Sequence, residues 1–212
     1  TYQPESDYGH DGRWRWMLFD LDFSFGFEGI GGGVGNDTLA LAQKDDWTGL
    51  LFRSLLKMKP FREEFINRFA NHLNSTFLPE RVFAIIDQAD AELEPEMERF
   101  FKRWSSDADS LKKWENEIEI IREFARKRPE IMMDLIAEQF GLDGTANLEI
   151  SYDSDKGEVM VNSISTFANI HDEEDLDTWT GVYFKGIPVQ ITAIPKSGFV
   201  FSQWLGTDKP SP

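Results

Sequence analysis

The spacing of apolar residues changes once along this chain, and that change sets the fold class. Between Trp47 and Phe140 large apolar residues recur every three or four positions, the period of a helix with one buried face. From Ala146 onward they alternate, the period of a half-buried strand. The chain is therefore expected to be α+β and multidomain, with a helical first part and a small all-β module after it. The expected boundary falls between residues 142 and 148, giving domains 1–145 and 146–212.

Prolines punctuate the helical part. Trp47, Leu50, Leu51, Ser54, Leu55 and Met58 form a first stripe, with Asp45 or Asp46 as N-cap. Pro60 opens a second helix, where no backbone donor is needed, and Phe61, Phe65, Phe69 and Leu73 mark its inner face. Pro79 opens a third, carried by Val82, Ile85, Ile86, Ala89 and Leu93. Pro95 is predicted to break or kink it before Met97, Phe100, Phe101 and Trp104. A fourth helix is predicted after Asp107–Asp109, with Leu111, Trp114, Ile118, Ile121 and Ala125 inward. Pro129 is predicted to open a fifth, closed by Gly141. With 18 Phe and 7 Trp in the chain, the bundle is expected to pack largely through aromatic rings.

In the second part, Leu148, Ile150 and Tyr152 alternate, a polar turn follows at 153–157, and Val159, Val161 and Ile164 return. This predicts a β-hairpin. Asp153-x-Asp155-x-Gly157 resembles a calcium loop only superficially, because the Gly falls one residue early and no Glu follows at the required spacing. Residues 169–177 read as an exposed acidic loop. Trp179 and Trp204 are expected in the core of the module rather than on a carbohydrate platform.

Composition narrows the function classes. The net charge is -16, from 38 acidic and 22 basic residues, which argues against a nucleic-acid partner. No apolar run is long enough to span a membrane. Absence of Cys excludes disulfides and thiolate metal sites. His10, His72 and His171 show no zinc-site spacing, and His72 reads as a structural imidazole. The Gly-rich stretch 27–46 matches neither a P-loop nor G-x-G-x-x-G and reads as a mobile loop.

The stretch richest in chemistry lies near the start. Asp11-Gly12 suits a tight turn, and the aromatic-dense run after it predicts an N-terminal β-hairpin. On a strand Asp20 and Asp22 share a face. Read as residues alone, they are either a solvated strand end or oxygen ligands of a divalent cation, which would offset their repulsion. Arg13 and Arg15 alternate with Trp14 and Trp16, favouring a stacked structural role.

The run from Trp14 to Gly26, containing Phe19-Asp20-Leu21-Asp22-Phe23-Ser24-Phe25-Gly26, resembles the metal-binding segment of the CotH family, the spore-coat-protein-H-type atypical protein kinases. The likeness continues through Leu50–Leu56, Phe61–Phe65, Asn71–Phe77 and Phe124–Pro129, over about residues 8–142. It implies a helical, protein-kinase-like C-terminal lobe, with Asp20 as first choice for the metal ligand and Asp22 as second. It also implies Mg²⁺ or Mn²⁺ with ATP, a protein substrate, and a counterpart of the activation segment in the Gly-rich stretch. The family's catalytic Asp and Asn and its phosphate-gripping Lys are expected upstream of Thr1. The chain thus reads as a fragment, inactive alone. Residues 179–206 resemble the internalin B-repeats of bacterial surface proteins, with Gly before a strand, then Ala-x-Pro, then Gly-Phe-x-Phe-x-x-Trp-x-Gly. That likeness implies an exported or cell-surface bacterial setting. It also supports an alternative role, an inactive scaffold binding a cell-surface protein or polysaccharide.

Overall fold

The computed structural model describes residues 21, 24–26, 33–105, 107–166 and 177–207 of the 212. The N-terminal hairpin and most of the acidic loop predicted from sequence lie outside these residues. Within them, a helical half is followed by small antiparallel sheets, as the change of period requires.

Helix α1 (Thr38–Ala42) lies inside the Gly-rich stretch that sequence assigned to a loop. Asp37 explains it: its carboxylate accepts from the Ala40 N–H at 2.8 Å, satisfying a donor of the first turn. Asp46 organises the entry to α2 (Leu50–Leu56) by accepting from the backbone N–H groups of Thr48 and Gly49 and from the Thr48 hydroxyl. Gly49 is required there, because a Cβ would sit 2.5 Å from the Lys44 carbonyl oxygen. The inward stripe expected of α2 is corrected. Trp47 is 85% exposed and Leu50 and Leu51 are more than half exposed, while Leu56 is buried. The turn around Asp46 begins the helix three residues later than the pattern suggested and rotates that stripe outward.

Helix α3 (Lys59–Leu73) carries Pro60 in its first turn and buries Ile66, Ala70, Asn71 and Leu73. Phe65 packs edge-on against Phe52, Phe69 and Phe140 at centroid separations of 5.0 to 6.1 Å. Helix α4 (Pro79–Trp104) runs through Pro95 without a break. A proline crowds the carbonyl four residues before it, here that of Ala91, and water reaches this exposed stretch. Helix α5 (Ser110–Phe140) is one element of 31 residues, not the two expected. Pro129 lies within it, because Ala125, Met132 and Ile136 are buried on both sides of the proline and hold the two halves to one core. Gly141 ends α5 as predicted. It sits at φ 61° and donates to the Glu138 carbonyl, while Leu142 donates to that of Ala137, the paired bonds of a Schellman cap.

The β part differs from the expected hairpin. Strand β1 (Thr145–Ser151) pairs with β4 (Thr178–Phe184), whereas β2 (Gly157–Val161) pairs with β3 (Ile164–Ser165) and β5 (Ile191–Pro195). The turn at 153–157 forms, with Gly157 donating to the Asp153 carbonyl, but it passes the chain from one sheet to the other. The true hairpin lies between β2 and β3, where Asn162 takes φ 51° in a two-residue turn. On β4, Trp179 lies across Gly181 toward Tyr183, filling the space that a side chain at 181 would need. Trp179 is buried and Trp204 packs at the core's edge, which agrees with the structural reading of both.

Helices and sheets share one core. Ile66, Ala70, Met132 and Ile136 meet Ile150, Val159, Val161 and Trp179 in a single cluster. The end of α3 also covers the free edge of β4. The Asn74 side chain donates to the Val182 carbonyl at 2.7 Å and accepts from the Val182 N–H at 2.8 Å. It thus takes the place of a neighbouring strand on an edge that would otherwise be unpaired.

Candidate functional site

The carboxylates singled out by sequence, Asp20 and Asp22, lie outside the described residues, as do Arg13, Arg15, His10 and His171. Their neighbours are placed. Ser24 donates to the Leu21 carbonyl through both its backbone N–H (3.0 Å) and its hydroxyl (2.6 Å). Phe25 and Gly26 both take positive φ, 56° and 96°. The chain therefore turns sharply just after Asp22. Gly26 is buried against α5, where a Cβ would come within 3.3 Å of Ile120 and 3.4 Å of Phe124. Phe25 accepts an unfavourable backbone conformation, and its ring lies 5.4 Å from that of Phe124. The turn at Ser24–Gly26 is thus held on α5.

Beside this turn is a cleft of about 710 Å³, walled by Leu21, Ser24 and Phe25, by α1, α2, α3 and α5, and by the base of α4. Leu39, Phe52, Phe65, Phe69 and Met132 make its lining mostly apolar. Arg128 is the one charged residue among the described residues that line it. Its guanidinium donates to the Val34 carbonyl at 2.5 Å, lies 3.4 Å from the Thr38 hydroxyl, and sits over the Phe124 ring. Burial lowers the Arg128 pKa from its ordinary value, with the charge of Asp37 opposing; the group stays protonated all the same. Such a cleft can bury an apolar or aromatic group and offer a cation to an anion. Sequence reasoning gave Arg128 no role, although it falls inside the Phe124–Pro129 segment of the family likeness. The signal available was a basic residue placed directly before a proline.

Among the described residues, no cluster of His, Asp or Glu is arranged to hold a metal ion. His72, read from sequence as a structural imidazole, is exposed; its Nδ1 lies 3.2 Å from the Thr76 hydroxyl. It stands on the side of α3 away from Ala70 and Leu73, which face the core. Asp153 is held by Lys156 at 2.5 Å and accepts from the Asp155 N–H, a closed polar turn. The Lys156 ammonium, first by hydrogen bonding, keeps the Asp153 carboxyl below its ordinary range.

No helix among the described residues is long and apolar enough to cross a membrane. Compared with known proteins, the chain has no match among curated proteins and none among solved structures. The family model described as "CotH kinase protein" matches residues 2–132. That span takes in the Asp-x-Asp segment, the turn at Ser24–Gly26, Arg128, helices α1 to α4 and α5 as far as Met132, and stops short of the β strands. Because the match covers more than half of the 212 residues, this chain belongs to the CotH kinase family.

Proposed function

We propose that this protein is an ATP-dependent kinase acting on a protein, with Asp20 and Asp22 as ligands of the Mg²⁺ or Mn²⁺ that accompanies the nucleotide. The observation that carries the reading is the family match, which includes both carboxylates. A kinase family implies use of ATP. In phosphoryl transfer a metal held by a carboxylate neutralises charge on the phosphate oxygens, and positioning supplies most of the remaining rate. Asp20 is the first ligand and Asp22 the second. Two residues on in sequence from Asp22, the turn at Ser24–Gly26 is anchored on Phe124. The protein substrate and the exported or cell-surface setting belong to the same proposal. They rest on the likeness of residues 179–206 to bacterial surface repeats and on the family.

Radiolabelled ATP tests it. The natural full-length protein should incorporate phosphate, and Asp20→Ala should abolish incorporation while circular dichroism stays unchanged. Full incorporation by Asp20→Ala combined with Asp22→Ala would overturn the metal-ligand assignment.

A further inference from the structure

Helices α4 and α5 form a long antiparallel hairpin whose outer part carries an uncovered apolar seam. Leu93, Met97, Phe100 and Trp104 follow one another at steps of four, three and four residues, the spacing of a coiled-coil seam. Met97 is half-buried, whereas Leu93, Phe100 and Trp104 are each at least half exposed, Trp104 at 68%. Leu111, across the tip on α5, is also exposed. Two helices cannot bury such a seam on both sides, and a further helical layer would complete it.

Charge along the hairpin points to what supplies that layer. Asp87, Asp90, Glu92, Glu94, Glu96 and Glu98 form a stretch with no basic residue, while the tip carries Arg99, Lys102, Arg103, Lys112 and Lys113 against only Asp107 and Asp109, the former paired with Lys113. Among the described residues, Glu94, Glu98, Lys102, Arg103 and Lys112 make no ion pair within the chain. Two copies laid antiparallel across these faces would set the basic tip of each against the acidic stretch of the other. The area is sufficient. At 1.5 Å per residue the 26-residue α4 is about 39 Å long, and its outer two-thirds with the facing part of α5 makes a face about 26 Å by 20 Å. That is roughly 500 Å² per copy, about 1,000 Å² in all, at the threshold of a specific interface. The net charge of -16 opposes association, but repulsion beyond about 8 Å is screened at physiological salt, while contacts across the seam are not.

We infer that the α4–α5 hairpin is a self-association surface, on which two copies of this chain pack antiparallel as a four-helix bundle with micromolar affinity. Sedimentation velocity at physiological salt tests it on the 212-residue chain. The wild type should shift from monomer to dimer as concentration rises through the micromolar range. Phe100→Glu with Trp104→Glu should be monomeric, with the melting temperature that the wild type shows when diluted to monomer, since both side chains are already exposed there. A charge exchange tests the orientation. Glu94→Lys with Glu98→Lys should be monomeric alone, as should Arg103→Glu with Lys112→Glu. An equimolar mixture of the two variants should dimerise, because both contacts of the mixed pair are then attractive. A wild type that stays monomeric, a dimer that survives Phe100→Glu with Trp104→Glu, or a mixture that stays monomeric would each overturn the inference.

Discussion

Replacing Asn71 with Ala should cost this protein about 2–4 kcal/mol and should unfold helices and sheets together. Asn71 is 2% exposed. Its side-chain carbonyl accepts from the Tyr183 hydroxyl at 3.0 Å and from Asn162 at 3.1 Å, and its amide donates to the Ser163 hydroxyl at 3.0 Å. One helix residue thus ties β4 and the β2–β3 turn to α3. After substitution, Ser163 is exposed and Asn162 is half-exposed, so both regain water. Tyr183 is buried and does not. A buried hydroxyl left unpaired costs about 1–3 kcal/mol, and the vacated volume adds about 1 kcal/mol more. Urea unfolding followed by circular dichroism and by tryptophan fluorescence measures the loss, and the two signals should coincide. A double-mutant cycle with Tyr183→Phe sharpens the test. That substitution should be destabilising in the wild type and near neutral beside Asn71→Ala, where no acceptor remains to be lost. A loss below about 0.5 kcal/mol for Asn71→Ala, or additivity of the two changes, would refute the reasoning.

Three further outcomes follow from particular contacts. Gly181→Ala places a Cβ 2.3 Å from the buried Trp179 ring, and the forced shift should cost about 1–3 kcal/mol, read as a lowered melting temperature; an unchanged one would contradict the packing of Trp179 over Gly181. Burial raises the Tyr183 phenol above its ordinary value, so its contribution to stability is complete below the unfolded tyrosine pKa of about 10 and is lost as pH rises through the folded value. Alkaline unfolding should therefore be postponed in Tyr183→Phe, and an identical alkaline limb in the two proteins would exclude Tyr183 as its source. The Asp46 carboxyl is held below its ordinary range, first by the Thr48 hydroxyl and then by the Gly49 N–H, so its support for the start of α2 is present at neutral pH and lost as pH falls into the acid range. Asp46→Ala should speed amide hydrogen exchange at Leu50–Arg53 at neutral pH, and unchanged exchange would remove that role.

The change of period from helix to strand was legible because burial imposes it over many residues, and Gly141 was legible because a left-handed cap needs a residue without Cβ. Pro129 misled, since a proline ends a helix only where no tertiary packing bridges it, and the burial of Ala125, Met132 and Ile136 is not a local property. The β1–β2 hairpin misled for a related reason. Local turn chemistry at Asp153–Gly157 is real, but strand partners are chosen by long-range pairing, and Ile150 finds Trp179 rather than β2. Nothing local in the sequence marks Asn71 and Asn74 as a joint; only partners about a hundred positions away reveal them as the tie between helix and sheet. At the candidate site the reverse holds. Asp20 and Asp22 stand out through the family likeness, since spacing alone left a solvated strand end open as well, whereas Arg128 needed the cleft to be seen.

Titration of Mn²⁺ into the chain, followed by calorimetry, tests the central claim most directly, because it asks whether Asp20 and Asp22 bind metal without depending on turnover. The account predicts weak, saturable binding in the millimolar range, as expected where few protein ligands leave most of the ion's waters in place. Binding should disappear in Asp20→Ala and weaken in Asp22→Ala, with the helical circular dichroism of both variants unchanged. Binding of equal strength in the wild type and in Asp20→Ala would contradict it.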